Sequence, residues 1–170
     1  MDRQRLQQAQ APLKARYRED PAAARLTLTA EGALDDQQIA CSVATGRALV
    51  SAGLHPATGG DGLHVCSGDM LLQALVACAG VTLRSVATSM EIPVSGTVRA
   101  EGDLDFRGTL GVDHDAPVGF VAIRLSFDLD TSASPEQLTK LIERTERYCV
   151  VYQTLTHGVA VSMTLTGHAG

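Results

Sequence analysis

The sequence has no tryptophan, and aromatic residues make up only 4% of it. Its hydrophobic core must therefore be built from aliphatic side chains, and a hydrophobic fraction of 45% supplies them in the amount usual for a globular protein. The chain carries a net charge of −5 and has no basic run, so we expect no surface that follows a nucleic-acid backbone. A length of 170 residues suits one domain with a sizeable core.

Long apolar segments are also scarce. The longest candidate, residues 70–81, includes Gln73 and is shorter than the roughly 20 residues that a membrane-spanning helix needs. Polar residues follow Met1 without an apolar stretch behind them, so we expect no secretory signal. These features predict a cytoplasmic protein with no membrane partner, in a compartment where thiols stay reduced.

The cysteines do not have the spacing of a metal site. There is no CxxC pair and the five histidines are scattered, so we predict neither a metal nor a bound cofactor. In a reducing compartment, a functional cysteine is more often redox-active or catalytic than part of a structural disulfide. The candidates are Cys41, Cys66, Cys78 and Cys149.

Two polar helices are predicted near the ends of the chain. Residues 2–19 have a helical composition and stop at Asp20-Pro21, which indicates an appended N-terminal helix over residues 1–20. Ser134 is followed by a proline and then, three residues after the serine, by Gln137, which is a strong helix-start signal. We expect that second helix to end at about residue 147, beside Cys149.

Alternating apolar residues predict the strands, at residues 25–30, 39–43, 96–106, 120–130 and 158–166. A loop rich in glycine is predicted over residues 53–68. The order of elements is not a βαβ repeat, so we predict an α+β fold with antiparallel sheets, in a single domain over residues 21–170.

Residues 69–87 are apolar almost all round and contain good helix formers, which predicts a buried helix. Ser67 or Asp69 is expected to cap its start. A helix that is apolar on every face must be covered on every face, and in a chain of this size that favours a second subunit. We therefore predict a homodimer.

Two of the cysteines have plain structural interpretations, because cysteine is among the most buried residue types. Cys41 lies between Ile39 and Val43 on the apolar face of a predicted strand, and we expect it to be inert. Cys149 follows a helix rich in arginine and glutamate, where it could simply close the helix.

Cys66 and Cys78 are both candidates for reactivity. Cys66 directly precedes a predicted helix, whose N-terminus favours a thiolate. Cys78 lies nine residues past Asp69, about 13 Å along the same helix, so the field of the helix start does not reach it. A reactive thiolate at Cys78 needs a cation or a hydrogen-bond donor from elsewhere in the fold.

Several segments resemble the OsmC/Ohr family of osmotically inducible and organic hydroperoxide resistance proteins. Residues 69–86 are similar to the central helix of that family, and residues 107–112 and 117–120 resemble its next conserved segments. Residues 146–155, around Cys149, look like its second cysteine region. The resemblance implies an OsmC-like fold, in which antiparallel sheets wrap around two central helices in an intertwined homodimer.

The resemblance also implies a reaction. Cys78 matches the cysteine that attacks the O–O bond of an organic hydroperoxide, and Cys149 matches the one that traps the resulting sulfenic acid as a disulfide. An external dithiol, for example of the lipoyl type, would then reduce the disulfide. Asp69 matches an acidic residue that contacts an activating arginine, and Arg47 is our candidate for that arginine, although it also fits a solvated strand-end charge.

Three functions remain open at this point. The chain could be a hydroperoxide reductase, a non-catalytic relative that binds a small apolar ligand at the dimer interface, or a redox sensor in which Cys66 pairs with Cys78. A dithiol-dependent peroxide assay separates the first from the second. Mapping the disulfide that forms on oxidation separates the first from the third.

Overall fold

The computed structural model of the protein describes residues 2–20, 32–34, 40–44, 49–111 and 113–167. Helices and strands alternate irregularly along the chain, which confirms the predicted α+β class. The elements are α1 (Arg3–Glu19), β1 (Gly32–Leu34), β2 (Ala40–Ala44), β3 (Leu49–Gly53), a 3₁₀ helix (Pro56–Thr58), β4 (Val65–Cys66), α2 (Ser67–Ser89), β5 (Ser95–Leu104), α3 (Phe106–Thr109), β6 (Phe120–Asp130), α4 (Pro135–Tyr148) and α5 (Val150–His157).

The strands form two sheets. One has the order β1-β2-β3-β4, in which only the β3–β4 pair is parallel. The other is an antiparallel pair of β5 and β6, whose register runs from Ser95 opposite Asp130 to Leu104 opposite Phe120. Every second residue is half-buried from Val98 to Leu104 and from Ile123 to Leu129, as the alternation predicts. Val121, predicted to point inward, is 60% exposed beside the register shift at Leu104. β5 lies against α2.

The core lies between α2 and α4. One face of α2 is buried, because its apolar residues recur at intervals of three and four. These residues are Leu75, Ala79, Leu83 and Val86. Leu141 of α4 is completely buried in a cluster with Leu83 and Val86, and Phe127 and Leu129 of β6 pack against this cluster.

The starts of α1 and α4 agree with the sequence prediction. The backbone N–H of Gln137 donates to the Ser134 hydroxyl at 3.3 Å, and the Gln137 side chain accepts from the Ser134 N–H at 2.9 Å. Two of the backbone groups that a helix start leaves unpaired are satisfied in this way. α1 lies beside α2, where Arg3 forms an ion pair with Glu91 at 2.6 Å.

The predicted cap of α2 is wrong. The helix begins at Ser67, directly after β4, and its N-cap residue is Cys66, whose side chain makes no capping hydrogen bond. Ser67 and Asp69 are already inside the first turn, where neither side chain occupies the capping position. Asp69 still lies in the turn where a negative charge favours the helix.

Three strands, β3, β4 and β5, also differ from the prediction. β4 and the 3₁₀ helix occupy part of the predicted loop, and β3 has too short an alternation to be recognised. Phe106 begins α3 rather than ending a strand, because the Asp105 carboxylate accepts a hydrogen bond from the Arg107 N–H at 3.1 Å and so starts a helix. The strand predicted at residues 25–30 lies outside the described residues.

The predicted last strand is wrong for the single chain. Residues 158–167 form neither helix nor strand, and Val161, Met163 and Leu165 are 87%, 97% and 94% exposed. Alternation specifies which side chains share a face, but the face needs a neighbouring surface to cover it. No described part of this chain supplies one.

The expectation that α2 is buried on every side is also wrong for the single chain, since Val81 is 73% exposed. The whole 23-residue helix is long and apolar enough to cross a membrane by length and composition, whereas the sequence pattern counted only residues 70–81. In the fold, α2 packs against α4, β5 and α5. That position is the one a core helix takes.

Candidate functional site

Cys78 and Cys149 meet where α2 passes the junction of α4 and α5. α4 ends at Tyr148, α5 begins at Val150, and Cys149 lies between them with an extended backbone (φ −76°, ψ 108°). Both helices pack against α2. The Cys149 thiol donates a hydrogen bond to the sulfur of Cys78, so the fold brings the two predicted cysteines into contact.

The backbone of Cys149 is held from both sides. Its N–H donates to the Thr145 carbonyl at 2.9 Å, which ends α4, and its carbonyl accepts from the Gln153 N–H at 2.9 Å, which starts α5. Cys149 thus belongs to two helical hydrogen-bond ladders at once. The position of its thiol is therefore fixed by the two helices and not by a loose loop.

Hydrogen bonds favour the thiolate of Cys78. Burial acts to raise the pKa of this thiol, but the backbone N–H groups of Val151 and Val150 donate to its sulfur, together with the Cys149 thiol and the Thr82 hydroxyl. The donors prevail, and the pKa of Cys78 lies below its ordinary value. The two valine N–H groups belong to the first turn of α5, which has no partners for them within the helix.

Cys149 is shifted in the opposite direction. Its side chain is almost fully enclosed, and burial raises the pKa of the thiol. The hydrogen bond to Cys78 and the negative charge of that neighbour raise it further, while the Tyr152 N–H partly offsets the rise. Of the two thiols, Cys78 therefore ionises first and Cys149 keeps its proton.

The structure does not bring the other predicted residues to this pair. Asp69 is exposed and lies about 13 Å along α2 from Cys78. It lines a separate cavity of about 180 Å³, together with Cys66. Arg47 and the side chain of Cys41 lie outside the described residues.

The alternative pairing of Cys66 with Cys78 does not fit within one chain. Cys66 is the N-cap of the helix that contains Cys78, twelve residues further along. An α-helix separates such positions by about 18 Å, whereas a disulfide needs Cα atoms within about 7 Å. A redox sensor built on an intrachain Cys66–Cys78 disulfide is therefore excluded by the fold.

Sequence reasoning identified both cysteines but not the donors that act on Cys78. It expected a cation or a hydrogen-bond donor from elsewhere in the fold, and the structure supplies donors, among them the N–H groups of Val150 and Val151. Thr82 carried a signal that could have been used, because a residue four positions after Cys78 lies on the same helix face. The start of α5 carried little signal, since Val150-Val151 is a poor helix-forming pair.

We predict that Thr82→Val raises the pKa of Cys78. The substitution keeps the shape of the side chain and removes a hydroxyl that donates to the thiolate. Mass spectrometry measures the rate of iodoacetamide alkylation at Cys78 across a pH series, and the pH at half-maximal rate reports the pKa. In wild type this pH should lie below that of a free cysteine. In the variant it should lie higher than in wild type. Thr88→Val is the matched control, because its hydroxyl donates to the Arg84 carbonyl in the same helix. Equal midpoints for Thr82→Val and wild type would contradict the assignment.

The chain matches a protein-family model in sequence and several solved structures in fold. The model of the family described as OsmC-like protein matches residues 59–164. A search of curated protein sequences found no match to the chain.

Several solved structures share the fold. The OsmC-like protein from Mycoplasma pneumoniae superposes with a TM-score of 0.64 at 16% identity, over 79% of this chain and 89% of that one. An OsmC-like protein of unknown function from Vibrio cholerae gives 0.61 at 16% identity, over 78% and 95%. An organic hydroperoxide resistance protein from Elizabethkingia anophelis gives 0.57 at 17% identity, over 79% and 90%. The chain is a member of the OsmC-like protein family, and its fold is the OsmC-like fold.

Proposed function

We propose that the protein is a thiol-dependent peroxidase that reduces organic hydroperoxides. One observation carries the proposal: the thiol with the lowered pKa, Cys78, is in direct contact with a buried, protonated partner thiol, Cys149. Such a pair provides a nucleophile and a trap for its oxidised form. The family supports this assignment, because it includes structures named as organic hydroperoxide resistance proteins.

The proposed reaction takes place in two steps. The Cys78 thiolate attacks the outer oxygen of the hydroperoxide, the S–O bond forms, the O–O bond breaks, and the alkoxide leaves as an alcohol after taking up a proton. Cys149 then loses its proton and attacks the sulfenic acid on Cys78. An S–S bond forms, the S–O bond breaks, and hydroxide leaves as water. An external dithiol supplies the two electrons that restore both thiols.

The burial of Cys149 suits the second step. A thiol that stays protonated and enclosed is a poor nucleophile toward the peroxide itself. Its contact with Cys78 places it next to the sulfenic acid as soon as that acid forms. The arrangement therefore supports Cys78 as the nucleophile and Cys149 as the thiol that traps its sulfenic acid.

A peroxide-consumption assay tests the proposal. We expect the purified protein to consume cumene hydroperoxide in the presence of a dithiol, at a rate proportional to protein concentration. Consumption no faster than that of dithiol alone would contradict the proposal and favour the interpretation of a protein that only binds apolar ligands.

We also propose that Asp69 and Arg47 form an activating pair. Asp69 is too far along α2 to touch Cys78 of its own chain, so any effect must reach Cys78 through the arginine or from a second subunit. Arg47→Ala is expected to slow peroxide reduction much more than it lowers the melting temperature, and Arg16→Ala in α1 is a matched control. Unchanged turnover in Arg47→Ala would remove this residue from the site.

The proposed working form is a cytoplasmic homodimer. The single chain leaves apolar side chains uncovered on α2 and along residues 159–165. A second copy is the simplest surface to cover them. The cytoplasm supplies the reducing environment that a thiol-dependent cycle needs.

A further inference from the structure

Cys149 lines a cavity whose lining does not include Cys78. This cavity has a volume of about 100 Å³ and lies between α2, α4, α5 and β6. Its walls are mostly apolar, formed by Leu125, Phe127 and Ile142. Cys149 therefore contacts Cys78 and also lines the cavity, whereas Cys78 does not line it.

We propose that this cavity admits the reductant, and that the reductant attacks the sulfur of Cys149, at a place distinct from the approach of the peroxide to Cys78. The inference rests on the proposed function, since it concerns the disulfide that the peroxidase cycle forms. Attack on a disulfide sulfur proceeds through a mixed disulfide, and it requires access to that sulfur. Cys149 is 1% exposed, so the attacking thiol must enter the cavity to reach it.

The disulfide between Cys78 and Cys149 is reduced in two exchange steps. A thiolate of the reductant forms an S–S bond with Cys149, the bond between Cys149 and Cys78 breaks, and the electron pair remains on Cys78 as a thiolate. The second thiol of the reductant then attacks its own mixed disulfide, releases Cys149 and leaves the reductant as a disulfide. The proton of that second thiol passes to Cys149.

The chemistry of the leaving group favours the same direction. A thiol of lower pKa leaves faster in thiol–disulfide exchange. The pKa of Cys78 is lowered by the α5 N–H groups, whereas burial raises that of Cys149. Attack at Cys149 expels the better leaving group, and attack at Cys78 would expel the worse one.

The cavity also selects the reductant by charge and shape. Glu146 lines it and is exposed to solvent, and its carboxylate accepts a hydrogen bond from the Tyr152 hydroxyl at 3.4 Å. A carboxylate beside apolar walls disfavours reductants that carry a negative group in addition to the reacting thiol. A cavity of about 150 Å³ with apolar walls binds benzene in another protein. The cavity here is about a third smaller, so it accommodates the thiol end of an uncharged aliphatic arm.

The first test changes the size of the cavity. The oxidised protein is prepared with diamide, so that the result does not depend on its reaction with peroxide, and its reduction by dithiothreitol is timed. We expect Ile142→Phe to slow reduction about tenfold or more by filling the cavity, and Ile142→Ala to quicken it. Both substitutions lower stability, so opposite effects on the rate cannot come from lost stability. Equal rates in the two variants would overturn the proposal, even if peroxide reduction were intact.

The second test changes the charge. Two small thiols are compared as reductants, neutral 2-mercaptoethanol and anionic 2-mercaptoethanesulfonate. Glu146→Gln should raise the rate of the anionic thiol relative to the neutral one by about fivefold at low salt, whereas Glu143→Gln, on the same helix outside the cavity, should not. Acid-quenched samples should carry the small thiol on Cys149. A mixed disulfide found on Cys78, or an equal effect in both variants, would show that reduction takes another route.

Discussion

Replacement of Cys78 by serine is expected to abolish dithiol-dependent peroxide reduction, with a loss of about a thousandfold or more, because a serine hydroxyl does not ionise near neutral pH. The hydrogen bonds that reach Cys78 from the start of α5 stabilise a thiolate and cannot compensate for its absence. Peroxide consumption in the presence of a dithiol measures the loss. The melting temperature should change little, since serine is close in size to cysteine.

Cys149→Ser separates the two roles. We expect one oxidation event per chain, after which the sulfenic acid on Cys78 persists or is oxidised further because no thiol traps it. Mass spectrometry should find the added oxygen on Cys78. Cys66→Ser and Cys41→Ser are controls that should retain turnover. If Cys78→Ser kept full turnover while Cys66→Ser lost it, the thiol at the start of α2 would be the nucleophile.

Two negative charges on the apolar face of the C-terminal segment are expected to convert a dimer into single chains. Val161 and Met163 are 87% and 97% exposed in the single chain, and burial of such side chains contributes about 1.5–3 kcal/mol each. The double variant Val161→Asp/Met163→Asp should sediment at the mass of one chain, 17.9 kDa in wild type, whereas wild type should sediment at twice that mass.

The opposite face of the same segment provides the control. Ser162 and Thr164 alternate with the apolar residues, so Ser162→Asp/Thr164→Asp adds the same charge to the other side. This variant should remain dimeric. Wild type that sediments as one chain at micromolar concentration, or two double variants with equal masses, would contradict a second copy as the cover.

The elements that sequence reasoning predicted well are those that carry their own signals. α4 has a capping serine, a proline and a glutamine in the first turn, and these local contacts alone fix where it begins. β5 and β6 have long alternations that specify one buried face. Such elements need no knowledge of their neighbours, so their bounds agree closely with the prediction.

What could not be predicted depends on distant parts of the chain. The contact between Cys78 and Cys149 came from resemblance to a family, because nothing in the spacing of the two cysteines encodes it. The N–H donors of α5 act on Cys78 only because α2 passes that helix start. The exposure of residues 159–165 is a property of the single chain that no local pattern reveals. These features are tertiary, and a local pattern does not determine them.

The hydrogen bonds at the start of α5 also affect the reduction potential of the Cys78–Cys149 pair. These hydrogen bonds stabilise Cys78 strongly when it is a charged thiolate. They stabilise it much less when it is an uncharged sulfur in a disulfide. A pair whose reduced form is stabilised in this way has a higher reduction potential and acts as a stronger oxidant. In the proposed cycle, the N–H groups that favour the first attack therefore also make the disulfide easier to reduce, so the same hydrogen bonds promote both halves of the turnover.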